Sequence, residues 1–426
     1  MATPFWYNAA LTLIKPLYKW QIKKRALNTE QLQQECLERF GPFQQPKHLH
    51  AIWFHVVSVG ETNAAQPLIE HYLKLGHPVL VTNTTKTGQA RAKSLFLKAP
   101  YEHLFQAVYL PADQKKLVHA FYQKYQPKLL VLVETEIWPN LIDQAQQFKV
   151  PCLLINARLS EKSAKGYAKV QGLTQGMLMG LERMLAQDQA TLDRYRNLGM
   201  PADKSQVLGS IKFDIHAPHS FIQQAQQLQQ DWHLSERKII TLASKHAPEE
   251  QKLLTALKPY LEKHPELLVI VVPRHPERFD EVFKTTQILN FSTQRRSLGQ
   301  KIETDTQVYL ADSMGEMWLW YALSQVCFVG GSLNEPGGGH NILEPIALNV
   351  PTVLGNNYFN FQTIVDEFIA VGGVKVMDDA GQAAKVLIEL LTDLDKAARL
   401  NIAAQQIMLK NAGSLAKHIA VIDQYI

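Results

Sequence analysis

Cysteine is scarce in this chain, and its three residues (Cys36, Cys152 and Cys327) lie far apart in the sequence. This spacing excludes a CxxC redox or zinc motif, and two of the three lie in apolar segments, as expected for small core residues in a reducing compartment. The histidines form no HxxxH pattern, and the one DxD motif, at residues 393–395, lies in a helical tail. We therefore predict neither a metal site nor a bound cofactor.

A strong charge imbalance is also absent. Lys and Arg number 44 against 39 Asp and Glu, a formal net charge of +5 that gives no argument for binding to nucleic acid. The hydrophobic fraction of 46% and the charged fraction of 19% are those of an ordinary globular protein. A length of 426 residues indicates two or three domains.

The first 25 residues carry a signal of their own. An aromatic, apolar stretch runs from Phe5 to Ile14. All the charged residues that follow it up to residue 25 are basic, namely Lys15, Lys19, Lys23, Lys24 and Arg25. The stretch is shorter than the roughly 20 residues that span a bilayer, and the order is the reverse of that in a secretory signal. We predict that residues 1–25 lie in the interface of an anionic membrane and keep the rest of the chain cytoplasmic. The aromatic residues expected at headgroup depth are Trp6, Tyr7, Tyr18 and Trp20. The alternative is a helix packed on the protein's own core.

From residue 51 onward, short apolar strands alternate with helical periodicity. The predicted strands are residues 51–57, 79–82, 107–110, 129–133, 152–155, 184–187 and 206–208, and then 238–243, 267–272, 307–310, 326–329, 352–354 and 374–376. This α/β pattern predicts two Rossmann-like domains that face each other across a cleft. The expected boundaries are residues 26–215 for the first domain, a Gln-rich segment at 216–235 that combines a linker and a helix, and 236–426 for the second. A helical tail over 382–409 ends the pattern, and the terminal helix can pack back on the first domain.

The densest glycine segment, residues 330–339, follows a predicted strand and leads into helical spacing. Such a loop lets backbone N–H groups and a helix N-terminus approach an anion. We predict a bound phosphate here, with Glu344 near the helix start as an acceptor for a ribose hydroxyl. The spacing is neither a dinucleotide fingerprint nor a Walker A loop. The alternative is a glycine-rich surface loop.

Other polar clusters also follow predicted strands, where ligands of doubly wound sheets bind. Glu61 follows the first strand, either as a general base or as a helix cap. The segment 134–140 brings two carboxylates to one strand end, where they need water, cations or substrate hydroxyls. Arg274 has two possible roles. Its guanidinium group can bind a phosphate or carboxylate, or it can cap a helix and pair with solvent. Segments 84–88, 210–214 and 312–316 lie in equivalent places.

Together these segments resemble the family of 3-deoxy-D-manno-octulosonic acid (Kdo) transferases of lipid A assembly. The resemblance runs nearly the whole length of the chain, and its most specific parts are ETEIWPN at 134–140 and GGHNILEP at 338–345. It implies a GT-B fold and an inverting, metal-independent transfer of Kdo from CMP-Kdo to a lipid IV-A-type acceptor. It also implies a location at the cytoplasmic face of the bacterial inner membrane.

The resemblance further implies roles for individual residues. Glu61 is expected to be the general base. The expected acceptor-binding residues are Ser58, Gly60, Thr84, Lys86, Glu134 and Glu136. The expected donor-binding residues are Ser210, Lys212, Pro273, Arg274, His275, Met314, Gly315, Glu316, Gly331, Ser332, Asn341 and Glu344. Lys245 and Pro248 depart from the family's usual Ser-Thr-His-x-Gly-Glu-Glu segment, which leaves the roles of Ser244 and His246 open.

Two other classes of function fit parts of the same pattern. Another GT-B protein, a transferase using a UDP-sugar or a nucleotide-sugar epimerase, would share the glycine-rich loop and the ribose-binding glutamate. A non-catalytic, membrane-attached module that binds a sugar nucleotide would need Glu61 only as a helix cap.

Overall fold

The computed structural model describes residues 3–25, 28–245, 248–335 and 337–426. The chain divides into two compact units, of which the first comprises Met1–Asp214 and Asn411–Ile426 and the second comprises Ile215–Lys410. Each unit is built around a parallel sheet of seven strands. Because parallel neighbours require a crossover connection, helices alternate with strands in both units.

The first unit begins with two helices, α1 (Phe5–Arg25) and α2 (Thr29–Phe40), ahead of its sheet. The strands are β1 (Ile52–His55), β2 (Val79–Asn83), β3 (Phe105–Tyr109), β4 (Leu129–Val133), β5 (Cys152–Ala157), β6 (Arg183–Ala186) and β7 (Ser205–Val207). The connecting helices are α3 (Val59–Lys74), α4 (Lys86–Phe96), α5 (Lys115–Tyr125), α6 (Pro139–Gln147), α7 (Glu161–Ala168), α8 (Gln171–Met179) and α9 (Gln189–Asn197). The strand order is β3-β2-β1-β4-β5-β6-β7. Central strands such as β4 are wholly apolar because helices cover both of their faces.

The second unit repeats this plan. Its strands are β8 (Lys238–Lys245), β9 (Leu267–Pro273), β10 (Thr293–Arg295), β11 (Val308–Leu310), β12 (Val326–Val329), β13 (Thr352–Gly355) and β14 (Lys375–Met377). Its helices are α10 (His219–Asp231), α11 (Glu249–Leu261), α12 (Phe279–Ile288), α13 (Met317–Ala322), α14 (Leu343–Ala347), α15 (Gln362–Val371), α16 (Ala380–Thr392) and α17 (Leu394–Asn411). The strand order is β10-β11-β9-β8-β12-β13-β14.

Both sheets are doubly wound, with the first strand of each in the interior. The strand order reverses between β1 and β4 in the first unit and between β8 and β12 in the second. In such sheets ligands bind beyond the carboxyl ends of the strands at this switch point. The predicted pair of Rossmann-like domains is confirmed, and each unit has one position at which its topology favours a ligand.

The unit boundaries differ from the expected domain boundaries. Residues 216–235, expected as a linker plus a helix, contain α10, whose Phe221 and Ala225 pack in the core of the second unit with Trp320. The second unit ends at Lys410, and the terminal helix α18 (Ser414–Ile422) belongs to the first, as expected of a terminal helix that packs back on it. Apolar burial explains both placements, since Ala225 and Ile422 are each inaccessible to solvent or nearly so.

Two local features also differ from the sequence-based expectation. Strand β10 is short, polar and only partly buried at a sheet edge, so it lacks the apolar run by which strands are recognised. The tail expected as one helix over 382–409 is broken at Asp393, whose carboxylate caps the next helix by accepting the Lys396 N–H at 3.0 Å. The DxD motif is therefore a helix junction and not a continuous helix face.

Helix α1 has one side exposed and the other in contact with the first unit. Its exposed large apolar residues are Phe5, Trp6, Leu13, Ile14, Leu17 and Trp20. On the other side, the Tyr7 hydroxyl donates to Asp113 at 2.9 Å, and the Tyr18 ring contacts Phe40. Of the aromatic residues expected at headgroup depth, Tyr7 and Tyr18 thus contact the protein instead. None of the helices that the structure describes combines the length and the apolar character needed to cross a bilayer.

Candidate active site

Glu61 lies in the first turn of α3, directly after β1. Its Oε2 accepts the N–H of Val57 at 2.7 Å, and the Ser58 hydroxyl donates to its Oε1 at 3.2 Å. The Ser58 oxygen accepts the Glu61 N–H in return, so Ser58 is the N-cap of α3. Burial, assisted by the charges of Glu134 and Glu136, raises the pKa of Glu61 to about 8. A carboxylate with a pKa this close to neutrality is suited to accept a proton during catalysis.

The two carboxylates that raise this pKa follow β4, on the other side of the switch point. Glu134 has a left-handed backbone, with φ of 66°, a conformation that is costly for a residue other than glycine. Its Oε1 lies 2.6 Å from Nζ of Lys212, and both side chains are largely buried. Glu136 Oε2 accepts the indole N–H of Trp138 at 3.0 Å. A strained backbone with specific charge partners is typical of a functional site and not of a surface loop.

Ser210 and Lys212, which were expected at the donor site with residues of the second unit, belong to the first unit. The Ser210 N–H donates to Asn411 Oδ1 at 2.7 Å, and the side chain is buried. The neighbouring Ile211 N–H donates to Asn156 Oδ1 at the end of β5. These bonds hold the loop after β7 against the edge of the sheet, and Lys212 thereby reaches the carboxylates after β4.

The other residues expected to bind the acceptor differ in whether contacts within the protein already occupy them. Thr84 Oγ1 is buried and has no hydrogen-bond partner among the residues that the structure describes. A Cβ on Gly60 would find no atom closer than Ser58 Oγ at 3.8 Å, so the space around it is open. Lys86 Nζ, in contrast, donates to the carbonyl of Arg25 at 2.7 Å and holds the end of α1. Thr84 and Gly60 therefore fit a binding role better than Lys86 does.

In the second unit, a buried carboxylate holds the glycine-rich loop after β12. Glu249, the first residue of α11, accepts the N–H groups of Gly331, Ser332 and Leu333 at 2.8, 3.1 and 2.9 Å. The N–H groups of Gly331 and Ser332, which were expected to face a phosphate, thus donate to the protein's own carboxylate.

The same loop is packed tightly on itself. The Ser332 hydroxyl is buried, donates to the Val329 carbonyl at 2.8 Å and accepts the Gly355 N–H at 2.7 Å. A Cβ on Gly337 would lie 2.4 Å from the carbonyl oxygen of Asn334. The glycines thus serve close packing within the loop, which is a structural reason for them that the sequence pattern does not reveal.

Arg274 follows β9, and its guanidinium group contacts the glycine-rich loop after β12. Pro273 ends β9 in the core, and the exposed Arg274 follows it directly. Its Nη1 lies 2.8 Å from Nδ1 of His340 in the glycine-rich loop. His275 points to a different partner, with Nδ1 3.6 Å from Glu277. A guanidinium can fork onto a phosphate or carboxylate, so the side chain of Arg274 is chemically suited to bind an anion.

The turn after β11 carries a carboxylate that is already paired. Met314 is 63% exposed, and Gly315 has φ of 83°, a conformation that favours glycine. Glu316 pairs with Arg296 at 2.8 Å and accepts a hydrogen bond from the Ser313 hydroxyl. Although burial opposes it, these partners hold the pKa of Glu316 below its usual range. This carboxylate orders the turn, and Met314 and Gly315 form its accessible part.

Glu344 and Asn341 form a small polar group at the start of α14. Asn341 Oδ1 accepts the Leu343 N–H at 3.1 Å, and its Nδ2 donates to Glu344 Oε1 at 3.3 Å. Burial raises the pKa of Glu344 despite this hydrogen bond. A carboxylate offers about four acceptor positions, so Glu344 retains capacity for a ligand hydroxyl.

Two residues of these sites were missed by the sequence reasoning. His55 is buried on β1, with Nδ1 2.9 Å from Thr82 Oγ1 and Nε2 3.9 Å from Glu136 Oε2; an imidazole inside an apolar strand was its sequence signal. Glu249 falls in the segment compared with the family's Ser-Thr-His-x-Gly-Glu-Glu pattern, but its role was not predicted, because its partners lie 82 or more residues away. His246 lies outside the described residues. Within the described ranges, no three His, Cys, Asp or Glu side chains are grouped as metal ligands.

Comparison with known proteins identifies the family. Residues 34–215 match the family model described as 3-Deoxy-D-manno-octulosonic-acid transferase (kdotransferase). The chain is 34% identical over 428 residues to a 3-deoxy-D-manno-octulosonic acid transferase of Haemophilus influenzae, with 99% of this chain and 98% of that relative covered. The chain belongs to the Kdo transferase family. It is therefore a glycosyltransferase of lipopolysaccharide biosynthesis, as the resemblance implied.

Two solved structures are also similar to parts or most of the chain. The crystal structure of the C-terminal CMP-Kdo binding domain of WaaA from Acinetobacter baumannii is 60% identical, covering 45% of this chain and 99% of that chain with a TM-score of 0.45. A UDP-GlcNAc 2-epimerase from Neisseria meningitidis, 14% identical, covers 87% of this Kdo transferase family member and 98% of its own chain with a TM-score of 0.50. At that identity the epimerase shows the fold alone, and the expected GT-B fold is confirmed.

Proposed function

We propose that the chain transfers Kdo from CMP-Kdo to a lipid IV-A-type precursor of lipid A, with inversion and without a metal ion or bound cofactor. The observation that carries this proposal is Glu61, a carboxylate with a pKa of about 8 at the switch point of the first sheet. The donor is supported by the 60% identity to a domain described as CMP-Kdo binding.

The reaction is a single displacement at the anomeric carbon of Kdo. The acceptor hydroxyl oxygen bonds to this carbon as the bond to the CMP phosphate oxygen breaks on the opposite face, and Glu61 takes the hydroxyl proton. Each oxygen of Glu61 accepts one hydrogen bond within the protein, from Val57 and Ser58. Since a carboxylate offers about four acceptor positions, lone pairs remain for the acceptor hydroxyl.

The acceptor sugar binds along the carboxylates of the first unit. Glu134 and Glu136 accept hydrogen bonds from its other hydroxyls, and Lys212 neutralises the charge of Glu134 at 2.6 Å. Ser58 and Gly60 flank the base, and the unpartnered hydroxyl of Thr84 supplies a further contact.

CMP-Kdo binds to the second unit through side chains. Arg274 pairs with the phosphate or the Kdo carboxylate, and Glu344, oriented by Asn341, accepts a ribose hydroxyl. The departing CMP is a phosphate anion, which a guanidinium can stabilise without a metal ion. Because Glu249 occupies the N–H groups of Gly331 and Ser332, we expect this cation to matter more than the loop's main chain.

The protein acts at the cytoplasmic face of the inner membrane through α1. This helix carries exposed aromatic residues, including Trp6 and Trp20, and basic residues at its end. Aromatic side chains at headgroup depth and cations opposite anionic lipids are the two features that hold a helix in the interface.

The test is transfer by the purified chain with CMP-Kdo and a tetra-acylated acceptor, followed by the product mass. The wild type should add Kdo, and Glu61→Gln should lower kcat by ~10²–10⁴-fold, the usual contribution of a general base. Glu70→Gln is the matched control, because Glu70 lies on the same helix and pairs with the exposed Lys74 and the partly buried Tyr101.

Three results would contradict the proposal. Undiminished transfer by Glu61→Gln would reduce Glu61 to a helix cap. Transfer from UDP-sugars in place of CMP-Kdo would favour a different GT-B enzyme. Binding of CMP-Kdo by the wild type without any product would favour a non-catalytic binding module.

A further inference from the structure

Beneath α1 lies an apolar cavity of about 200 Å³ within the first unit. One wall is formed by α1, through Leu11 and the half-exposed Ile14 and Leu17 at the mouth, and the opposite wall by Leu110 and Pro111 after β3. A cavity of about 150 Å³ lined by Leu, Ile and Phe stays dry and binds benzene, so an apolar space of this size can hold a segment of hydrocarbon.

The cavity has fixed walls. The Tyr7 hydroxyl donates to Asp113 at 2.9 Å, and Asn8 Oδ1 accepts a hydrogen bond from Asn140 Nδ2 at 3.0 Å. Lys86 Nζ holds the other end of α1 through the Arg25 carbonyl. These bonds at both ends keep α1 in place over the opening, as a built binding site requires.

The same cavity adjoins the carboxylate site. Trp138 lines it and donates its indole N–H to Glu136 at 3.0 Å. Thr84 also lines it, and its hydroxyl lacks a hydrogen-bond partner among the described residues. A molecule with its polar part at the carboxylates can therefore extend an apolar part past Trp138, with Thr84 bonding to an ester, amide or hydroxyl oxygen between the two.

On the side formed by α1, all the charged residues near the cavity are positive. Between Phe5 and Arg25, α1 contains no Asp or Glu, and Lys15 lines the cavity itself. The ammonium groups of Lys15 and Lys19 lie 5.5 and 5.0 Å from the centre of the Phe40 ring. An apolar space with cations beside it is complementary to an acylated molecule with an anionic headgroup.

We infer that this cavity takes one acyl chain of the acceptor lipid and so aligns the acceptor sugar with Glu61. The inference rests on the proposed function, and it adds a specificity element to it: recognition of acylation by the enzyme itself, apart from the bilayer. Burying each methylene group favours binding roughly fourfold, so even a short enclosed segment has a large effect on affinity.

The test fills the cavity from the helix side. Leu11→Trp should raise the KM for a tetra-acylated acceptor at least tenfold and leave kcat unchanged. The KM for the same acceptor stripped of its acyl chains should also stay unchanged. Leu13→Trp is the matched control, because Leu13 lies on the same helix and is 82% exposed. Ala112→Phe fills the cavity from the other wall, in case Leu11→Trp does not fold.

Other outcomes overturn the inference. An unchanged KM in both filled variants, or an equal rise for both acceptors, would show that no acyl chain enters. Loss of vesicle binding by Leu11→Trp together with unchanged kinetics in detergent would assign the cavity to a bilayer lipid.

A direct measurement separates this inference from the proposed function. An acceptor with a photoactivatable diazirine at the end of an acyl chain should label α1 or residues 110–114 of the wild-type protein. Labelling there without Kdo transfer would refute the proposed function and keep the cavity assignment. Transfer with labelling elsewhere would do the reverse.

Discussion

The two switch points of this molecule have the same topology but use their carboxylates in opposite ways. In each unit a glutamate stands in the first turn of the helix that follows the first strand, Glu61 in α3 and Glu249 in α11. Glu61 accepts one backbone N–H and one hydroxyl, and its pKa is raised to about 8. Glu249 is inaccessible to solvent and accepts three backbone N–H groups.

The loop across the switch point explains the difference. After β4 it presents the carboxylates of Glu134 and Glu136, whose charges disfavour ionisation of Glu61. After β12 it presents three N–H donors, all of which the carboxylate oxygens of Glu249 accept. The position in the fold therefore supplies a carboxylate in both units, and the opposite loop decides whether it does chemistry or holds structure.

Substitution of Glu249 should have the largest effect on stability. Glu249→Gln replaces one acceptor oxygen by an NH₂ group that faces N–H donors, so we expect a loss of about 2–4 kcal/mol in the free energy of unfolding. CMP binding should weaken in parallel because the glycine-rich loop loses its support. Denaturant unfolding and calorimetric titration with CMP measure the two effects.

The matched control for Glu249→Gln is Glu262→Gln, near the end of the same helix, where a half-exposed side chain pairs with Lys258. Its effect should stay within about 0.5 kcal/mol. Full stability of Glu249→Gln would contradict a structural role and remove the contrast with Glu61.

Arg274 should have the next largest effect, because the loop's N–H groups at Gly331 and Ser332 are occupied by Glu249. Arg274→Met should raise the KM for CMP-Kdo by ~10–100-fold, the loss of a charge-assisted hydrogen bond, with a smaller change in kcat. Lys284→Met removes an exposed cation from the same unit and is the control. An unaltered KM for CMP-Kdo in Arg274→Met would contradict this role and indicate that the main chain of the glycine-rich loop binds the phosphate.

The pH dependence should report the state of Glu61. Since only the ionised carboxylate accepts a proton, kcat/KM should rise with pH through an apparent pKa near 8. Glu134→Gln removes the largest neighbouring charge that raises this pKa, so its profile should shift to lower pH. The same substitution at Glu161, which is 77% exposed, should not shift it. A profile indifferent to Glu134 would mean that another group titrates.

Stability should follow the same titration with the opposite sign. The folded pKa of Glu61 lies above its ordinary value of 4.5, so between pH 4.5 and about 8 the folded chain retains a proton that the unfolded chain has lost. The contribution of Glu61 to the free energy of unfolding therefore falls as pH rises through this range. Glu61→Gln should lack this fall in denaturant titrations.

The fold was largely predictable because its strands are apolar runs that a sequence displays directly. The carboxylates after β1 and β4 were predictable for the same reason, since each follows such a run. The ion pairs and hydrogen bonds between distant segments were not predictable. Lys212 was expected with the donor and pairs with Glu134, and Glu249 gave no signal as the support of a loop 82 residues away. Such contacts depend on how distant loops fold onto one sheet edge, which local periodicity does not encode.

Gly60 offers the smallest test, and it separates packing from binding at the first switch point. The residue is helical, and a Cβ there would meet nothing closer than 3.8 Å, so Gly60→Ala should raise the free energy of unfolding by ~0.5–1 kcal/mol. If the acceptor sugar approaches Glu61 across this position, the same methyl group should raise the acceptor KM and leave the KM for CMP-Kdo unchanged. Gly166→Ala, in α7 with nothing within 4 Å, should stabilise without either change. A Gly60→Ala variant that gains stability and keeps its acceptor KM would move the acceptor path away from the start of α3.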